Sequence, residues 1–172
     1  MRPIKSVHMK TFLIFFSSML FCAVAAAQLK VAPKCPDFNV DILDGTVNKA
    51  IQPVSTIGQI KLNLPCFTGF EEESSTAKCG GGVFYKDKDI YFYTARDYVE
   101  IGPDFKGTLS VPIMGAPRNG LFKWLGTPQL KDTAWDAFQT AYGILIVYFD
   151  KEDKVNKIQF SNQSASTIKL CQ

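Results

Sequence analysis

Apolar and polar positions along the chain change period several times, and each change predicts an element. Thr56 and Gln59 make a T-x-x-Q capping box, and Ile60 and Leu64 fall four apart behind it. That spacing predicts a short helix over Ile57–Asn63 with one apolar face, closed at Pro65 because the residue before proline resists helical geometry. A second short helix follows from Pro117, which suits a first turn. Leu121, Phe122, Trp124 and Leu125 supply its apolar positions, and Gly126 stops it with Pro128 behind. Runs rich in β-branched and aromatic residues predict strands at Val40–Leu43, Ile90–Thr94, Tyr98–Ile101, Thr108–Val111, Gly143–Phe149, Val155–Phe160 and Thr167–Leu170.

Two stretches, Val83–Ile90 and Val147–Val155, share a pattern of aromatic and β-branched runs flanking a charged turn, a hairpin signature. They lie 64 residues apart, against 61 for the two helices, so a duplicated unit of helix and strands is one reading and coincidence the other. Short helices on antiparallel strands define an α+β domain. The expected organisation is two related units, 28–102 and 103–172, fused into one compact disulfide-bonded body. The joint at 102–107 is too short to be a flexible linker.

The first 27 residues read differently. Arg2, Lys5 and Lys10 precede an apolar run from Phe12 to Val24, and Ala25-Ala26-Ala27 offers small residues for cleavage ahead of Gln28. This is the order of a secretory signal, so residues 1–27 are expected to be cleaved and the remainder to be periplasmic or secreted. The run is short for a membrane anchor, and Phe21 before Cys22 argues against lipidation. With cleavage, three of the 19 basic residues leave and none of the 16 acidic ones, so 16 face 16 and the formal net charge falls to zero. A neutral chain with no basic cluster gives no footprint for nucleic acid. The one histidine, His8, leaves as well. A chain without histidine cannot build a Ser-His-Asp triad, a Cys-His pair or a histidine-ligated zinc site, which counts against an enzyme.

Four cysteines remain, Cys35, Cys66, Cys79 and Cys171. In an exported chain an even number implies disulfides, here two with three possible pairings. Proximity in sequence favours Cys66–Cys79, leaving Cys35–Cys171 to join the ends.

The segment Ile60-Lys61-Leu62-Asn63-Leu64-Pro65-Cys66, with Cys79 thirteen positions on, and the second stretch Leu121–Pro128 carry a resemblance. A tandem unit of short helix, cysteine-bridged loop and antiparallel strands resembles the β-lactamase inhibitor protein family and the related BamE/SmpA-type envelope proteins. Trp135-Asp136 and Tyr142-Gly143-Ile144 are also similar to exported bacterial domains of unknown function. The resemblance implies a binding scaffold and identifies no target. The chain departs from the pattern in lacking a disulfide within its second unit, in its shortened helical segment and in having no lipid-bearing cysteine.

Local motifs add little chemistry. Ser75-Thr76-Ala77-Lys78 spells S-x-x-K, but no S-D-N or K-T-G accompanies it, and its setting is a polar loop. Gly80-Gly81-Gly82 precedes a strand rather than a helix, so a tight turn with close approach to a neighbouring strand fits better than a phosphate site. The acids around 87–89 and 150–153 fall in turns without a calcium-loop glycine. Asn162-Gln163-Ser164 is a glycosylation sequon, which matters only in a host that glycosylates there. More informative are Glu71, Glu72 and Glu73, a local negative patch able to steer a basic partner. Tyr91 and Tyr93 should share one face of a strand, with Phe92 on the other. Exposed tyrosines make good interface anchors. The expectation is therefore an exported protein-binding module: an inhibitor, an immunity-type protector or an envelope accessory factor. It would need no cofactor or metal, would contact another protein through Glu71–Glu73, Tyr91 and Tyr93, and would not insert in a membrane. A small hydrolase using two of Asp97, Glu100 and Asp136, or a small-ligand carrier, is the alternative.

Overall fold

The structure, a computed structural model, describes residues 34–76 and 78–171. The expected signal segment lies outside the described residues. The fold is mixed and dominated by sheet, with two short helices and two disulfides. Its strands are β1 (Asn39–Asp41), β2 (Thr46–Val47), β3 (Gly69–Glu71), β4 (Gly82–Tyr85), β5 (Ile90–Tyr93) and β6 (Tyr98–Ile101), then β7 (Thr108–Leu109), β8 (Leu130–Lys131), β9 (Trp135–Gln139), β10 (Ile144–Phe149) and β11 (Val155–Ser161). The helices are α1 (Ile57–Asn63) and α2 (Phe122–Leu125), the latter led in by a 3-10 turn at Arg118–Gly120.

Local chemistry accounts for the helix ends. The Thr56 side chain accepts from the Gln59 N–H while Gln59 Oε1 accepts from the Thr56 N–H at 2.9 Å, so the capping box forms as its sequence predicts. Gly126 ends α2 with φ of 72°, a conformation costly for any residue with a Cβ. The glycine run also turns the chain as its composition predicts. At Gly82 a Cβ would run into the Phe92 carbonyl oxygen, so only glycine lets β4 approach β5 there.

Eight strands form one antiparallel sheet in the order β3-β4-β5-β6-β11-β10-β9-β8. Two four-stranded meanders thus meet at their last strands, β6 against β11, with Ile101 opposite Ile158 and Val99 opposite Phe160. One face of this sheet is closed by α1 and by a small sheet, β2-β1-β7, in which β1 and β7 run parallel. Between them lies the main core. Phe38, Val40, Ile42, Val47 and Ile51 meet Tyr85, Phe92, Ile101, Ile158 and Phe160 there, all essentially without solvent exposure. Burying such side chains contributes about 1.5–3 kcal/mol each. Two tyrosine hydroxyls in this layer find partners: that of Tyr85 donates to the Leu64 carbonyl at 2.6 Å and that of Tyr142 to the Ile42 carbonyl at 2.9 Å.

Three expectations are corrected. No strand forms at 167–170; the C-terminal segment instead crosses the opposite face of the large sheet, held by Arg96, whose Nη1 donates to the carbonyls of Lys169 and Leu170. The two matched hairpins do not occupy equivalent places, since the first joins β4 to β5 and the second β10 to β11, next to the sheet's centre. The disulfides pair Cys35 with Cys66 and Cys79 with Cys171, each with Cα atoms 5.3 Å apart, rather than Cys66 with Cys79. The β3–β4 hairpin explains why. Cys66 precedes β3, whereas Cys79 sits in the loop beyond its other end, where the Ser74 N–H bonds the Gly80 carbonyl. Hairpin geometry separates the neighbours in sequence.

Arg118 fastens the second helical segment to the sheet. Its guanidinium holds Asp136 through two hydrogen bonds, at 2.6 and 3.0 Å, reaches the Asp132 carbonyl at 2.6 Å, and stacks over Phe149 at 4.5 Å. Asp136 is buried, so losing its partner strands a charge.

Two predictions follow from this architecture. Peptide mapping of the unreduced protein by mass spectrometry will recover Cys35–Cys66 and Cys79–Cys171 links, and a Cys66–Cys79 link would contradict the hairpin register. Arg118→Ala will destabilise the fold by about 3 kcal/mol, the cost of an uncompensated buried carboxylate. Urea unfolding measures this, and Arg118→Ala with Asp136→Asn should recover part of the loss.

Candidate interaction face

The two faces of the large sheet follow from its register, because residues paired across strands share a side. Phe84, Tyr91, Glu100, Gln159, Ile146, Ala137 and Leu130 form one continuous row across all the strands from β4 to β8. None of these belongs to the main core. This is the outer face, and it carries Phe84, Tyr91, Tyr93, Tyr98, Trp135 and Tyr148.

Tyr91 and Tyr93 both lie on it, half-buried, with Phe92 turned into the core as the alternation requires. Phe84 packs against both, with ring centroids 6.3 and 5.7 Å away, and Tyr93 stacks on Tyr98 at 4.5 Å. Glu71 pairs with Gly82 at the end of β3, which places it on this side too, and its charge helps raise the Tyr93 pKa. Glu72 and Glu73 lie beyond the strand in the exposed loop. Glu73 faces a polar hollow of about 750 Å³ shared with Arg96 and Lys169. The structure therefore brings Glu71, Tyr91 and Tyr93 together and leaves Glu72 and Glu73 at the margin.

At the sheet's centre is a polar chain of which the sequence pointed only to Glu100, and in another role. The Tyr148 hydroxyl donates to Gln159 Oε1 at 2.7 Å, and Gln159 Nε2 donates to Glu100 Oε2. Lys157 Nζ lies 3.9 Å from the same carboxylate oxygen and 4.2 Å above the Tyr148 ring. Beyond this network, Trp135, Ala137, Ile144, Ile146 and Tyr148 floor a groove of about 450 Å³ whose other wall is the C-terminal segment, through Ala165, Ile168 and Leu170. No charged side chain lines it. Its one sequence signal is the Trp135-x-Ala137 and Ile144-x-Ile146-x-Tyr148 alternation, masked in β10 by the equally apolar Leu145 and Val147 and interrupted in β9 by Asp136.

The acids weighed for hydrolysis are not assembled. Glu100 belongs to the outer row, whereas Asp136 pairs with Val147 in the core-facing row and is committed to Arg118. Asp97 caps the 3-10 turn at Thr94–Arg96 in a left-handed conformation, and its Oδ2 accepts from Gln163 Nε2 at 3.1 Å.

The tyrosines report the electrostatics. Burial, followed by the charges of Glu100, Tyr91 and Glu71, pushes the Tyr93 hydroxyl up to about 12; burial and then Glu100 push Tyr148 up to about 12. Tyr91 is raised by burial and by Asp89 beside it. A raised tyrosine pKa means the folded chain holds the proton more tightly. This stability is present below the unfolded value near 10 and is lost as pH rises toward 12.

No family model matches the chain, and neither does any curated protein or solved structure. The two disulfides fit an oxidising, non-cytoplasmic compartment. No helix among the described residues is long and apolar enough to cross a membrane.

Alkaline titration followed by tyrosinate absorbance should show every tyrosine of the folded protein ionising above 10. Denaturant midpoints should fall between pH 10 and 12. Glu100→Gln should shift the Tyr93 and Tyr148 titrations downward, because it removes a negative charge that both rings feel; an unchanged profile would contradict the arrangement.

Proposed function

We propose that the chain is an exported, periplasmic or secreted protein-binding module that uses the outer face of its eight-stranded sheet to engage another protein. The observation that supports this most directly is the half-buried aromatic row of Phe84, Tyr91 and Tyr93, continued by Trp135 and Tyr148, on a face outside the main core. Aromatic side chains presented by strands anchor interfaces at low entropic cost. The opposite face is already occupied by α1 and the small sheet, and the C-terminal segment covers only the Ala137, Ile144 and Ile146 part of the outer one, so the aromatic row is the part left for a partner.

Duplication of a helix-plus-meander unit belongs to the same proposal. Each meander is preceded by a short helix, and the two join through their last strands, as a repeated unit would. By place in the sheet the equivalent strands would be β4 with β9, β5 with β10 and β6 with β11, a different correspondence from the hairpin match in the sequence. Two fused copies build a sheet broader than either could, and its middle becomes a recognition surface. A binding scaffold of two related units is what the β-lactamase inhibitor resemblance implies. Inhibition, protection and envelope assembly are all consistent with it. A binding role is also favoured over carboxylate hydrolysis, since Glu100 and Asp136 point to opposite sides of the sheet.

Affinity capture from the envelope and secreted fractions of the host, using the oxidised protein, tests the proposal. One stoichiometric partner is expected, and the double variant Tyr91→Ala, Tyr93→Ala should weaken its binding by about thirtyfold or more, a hot-spot loss of about 2 kcal/mol. If that variant, combined with replacement of Glu71, Glu72 and Glu73, binds its partner unchanged, the face is not the interface.

A further inference from the structure

The chemistry of the outer face restricts what it can receive. Its β5–β6 half carries Glu100 at the centre and Glu71 at the edge, with Asp89 beside Tyr91, and among the described residues Lys157 is the cation paired with Glu100. Its β9–β10 half is an uncharged groove. We propose, building on the interface reading above, that the partner presents a lysine or arginine to Glu100 and, next to it, a bulky aliphatic or aromatic side chain to the groove.

Three observations carry this. Among the described residues the hydrogen bond from Gln159 and the ion pair with Lys157 both fall on Glu100 Oε2, and no hydrogen bond reaches Oε1. One carboxylate oxygen is left for an incoming donor. Lys157 shows that a cation suits the place, since its ammonium lies between the Tyr148 ring and the carboxylate. Net negative charge on this half favours a basic group over an acidic one through complementarity.

Spacing then follows from the sheet. Glu100 and Ile146 stand two strands apart in one row, which is roughly 10 Å at the usual interstrand distance. A chain in the polyproline II conformation rises about 3.1 Å per residue with three residues per turn, so three positions cover that distance and bring both side chains to the same side. The matching element is therefore an apolar residue and a basic residue about three positions apart on a polyproline II segment, laid across the strands. The Tyr148–Gln159–Glu100 hydrogen bonds hold the two subsites in fixed relation, so they act as one site.

Selection from a displayed library of random linear peptides, panned against the oxidised protein, tests this. Enriched peptides should carry Lys or Arg about three positions from Leu, Ile, Phe or Trp, and their binding should weaken with salt. Glu100→Gln, nearly the same shape, should cost about tenfold in affinity. Ala165→Phe, which fills the groove from the C-terminal segment, should cost a similar factor, with thermal unfolding confirming that both variants fold. Peptides that are acidic or wholly apolar, or that ignore Glu100→Gln, would overturn the inference; so would an empty selection. If such peptides still lose affinity with Tyr91→Ala, Tyr93→Ala, the face remains the interface and only the basic–apolar pairing fails. Binding indifferent to every outer-face variant would remove both.

Discussion

The pairing of β6 with β11 is the constraint on which the rest of the molecule depends. It joins strands roughly 60 residues apart in sequence, an ordering cost that local contacts do not offset. What compensates is burial on one side, where Val99, Ile101, Ile158 and Phe160 lose essentially all contact with solvent. Without that seam there would be two separate four-stranded meanders, each with an open edge, and no continuous row from Phe84 to Leu130. The Cys79–Cys171 bond reinforces the same closure from outside, since its 92-residue loop spans both meanders. In the loop-entropy model it contributes about 5 kcal/mol by restricting the unfolded chain.

The same seam separates two kinds of chemistry. On the core side its residues are aliphatic or aromatic; on the outer side the paired Glu100 and Gln159 meet directly. A carboxylate at the centre of a sheet needs water, a cation or hydrogen-bond donors within reach, because one buried without them costs several kcal/mol. Glu100 retains a fifth of its side-chain exposure, enough to remain solvated in the free protein. The C-terminal segment covers the neighbouring Ile144 and Ile146 but stops short of this carboxylate. Its position follows from three anchors: the Cys171 bond, the Arg96 hydrogen bonds and the Cys171 N–H donating to the Tyr98 hydroxyl at 3.1 Å.

Local signals in the sequence carried as far as local physics does. The Thr56–Gln59 box, Pro65 and Gly126 act within one turn of themselves, and α1 and the end of α2 lie where they predict. Alternation in Ile90–Tyr93 placed Tyr91 and Tyr93 on one side of a strand because the pleat leaves no other choice. Long-range features were illegible for a matching reason. Nothing in 66–79 reveals that β3 will carry Cys66 and Cys79 to opposite ends of a hairpin. Nothing near Thr108 announces a parallel partner at Asn39, close to seventy residues earlier. Trp135–Gln139 escaped notice because Asp136, a charge in the core-facing row, breaks the apolar pattern, and only Arg118, eighteen residues before it, makes that burial tolerable. Glu100 looked like a candidate acid, yet its meaning depends on Gln159 and Lys157 from a strand sixty residues on.

Rigidity decides how such a face can recognise anything. Side chains on central strands of a sheet lose little further freedom on binding, because their backbone is already fixed by ladders on both sides. Tyr148, Gln159 and Glu100 are constrained again by their mutual hydrogen bonds, and Tyr93 by its stack on Tyr98. The groove differs, since one wall is sheet and the other is a segment without regular structure, held at its near end by Gln163 and at its far end by Arg96 and the Cys171 bond. A carboxylate fixed by hydrogen bonds to its neighbours therefore sits beside a wall held by a disulfide, a few hydrogen bonds and the packing of Ala165, Ile168 and Leu170. On the proposed reading, selectivity for charge comes from the first and selectivity for an apolar group from the second.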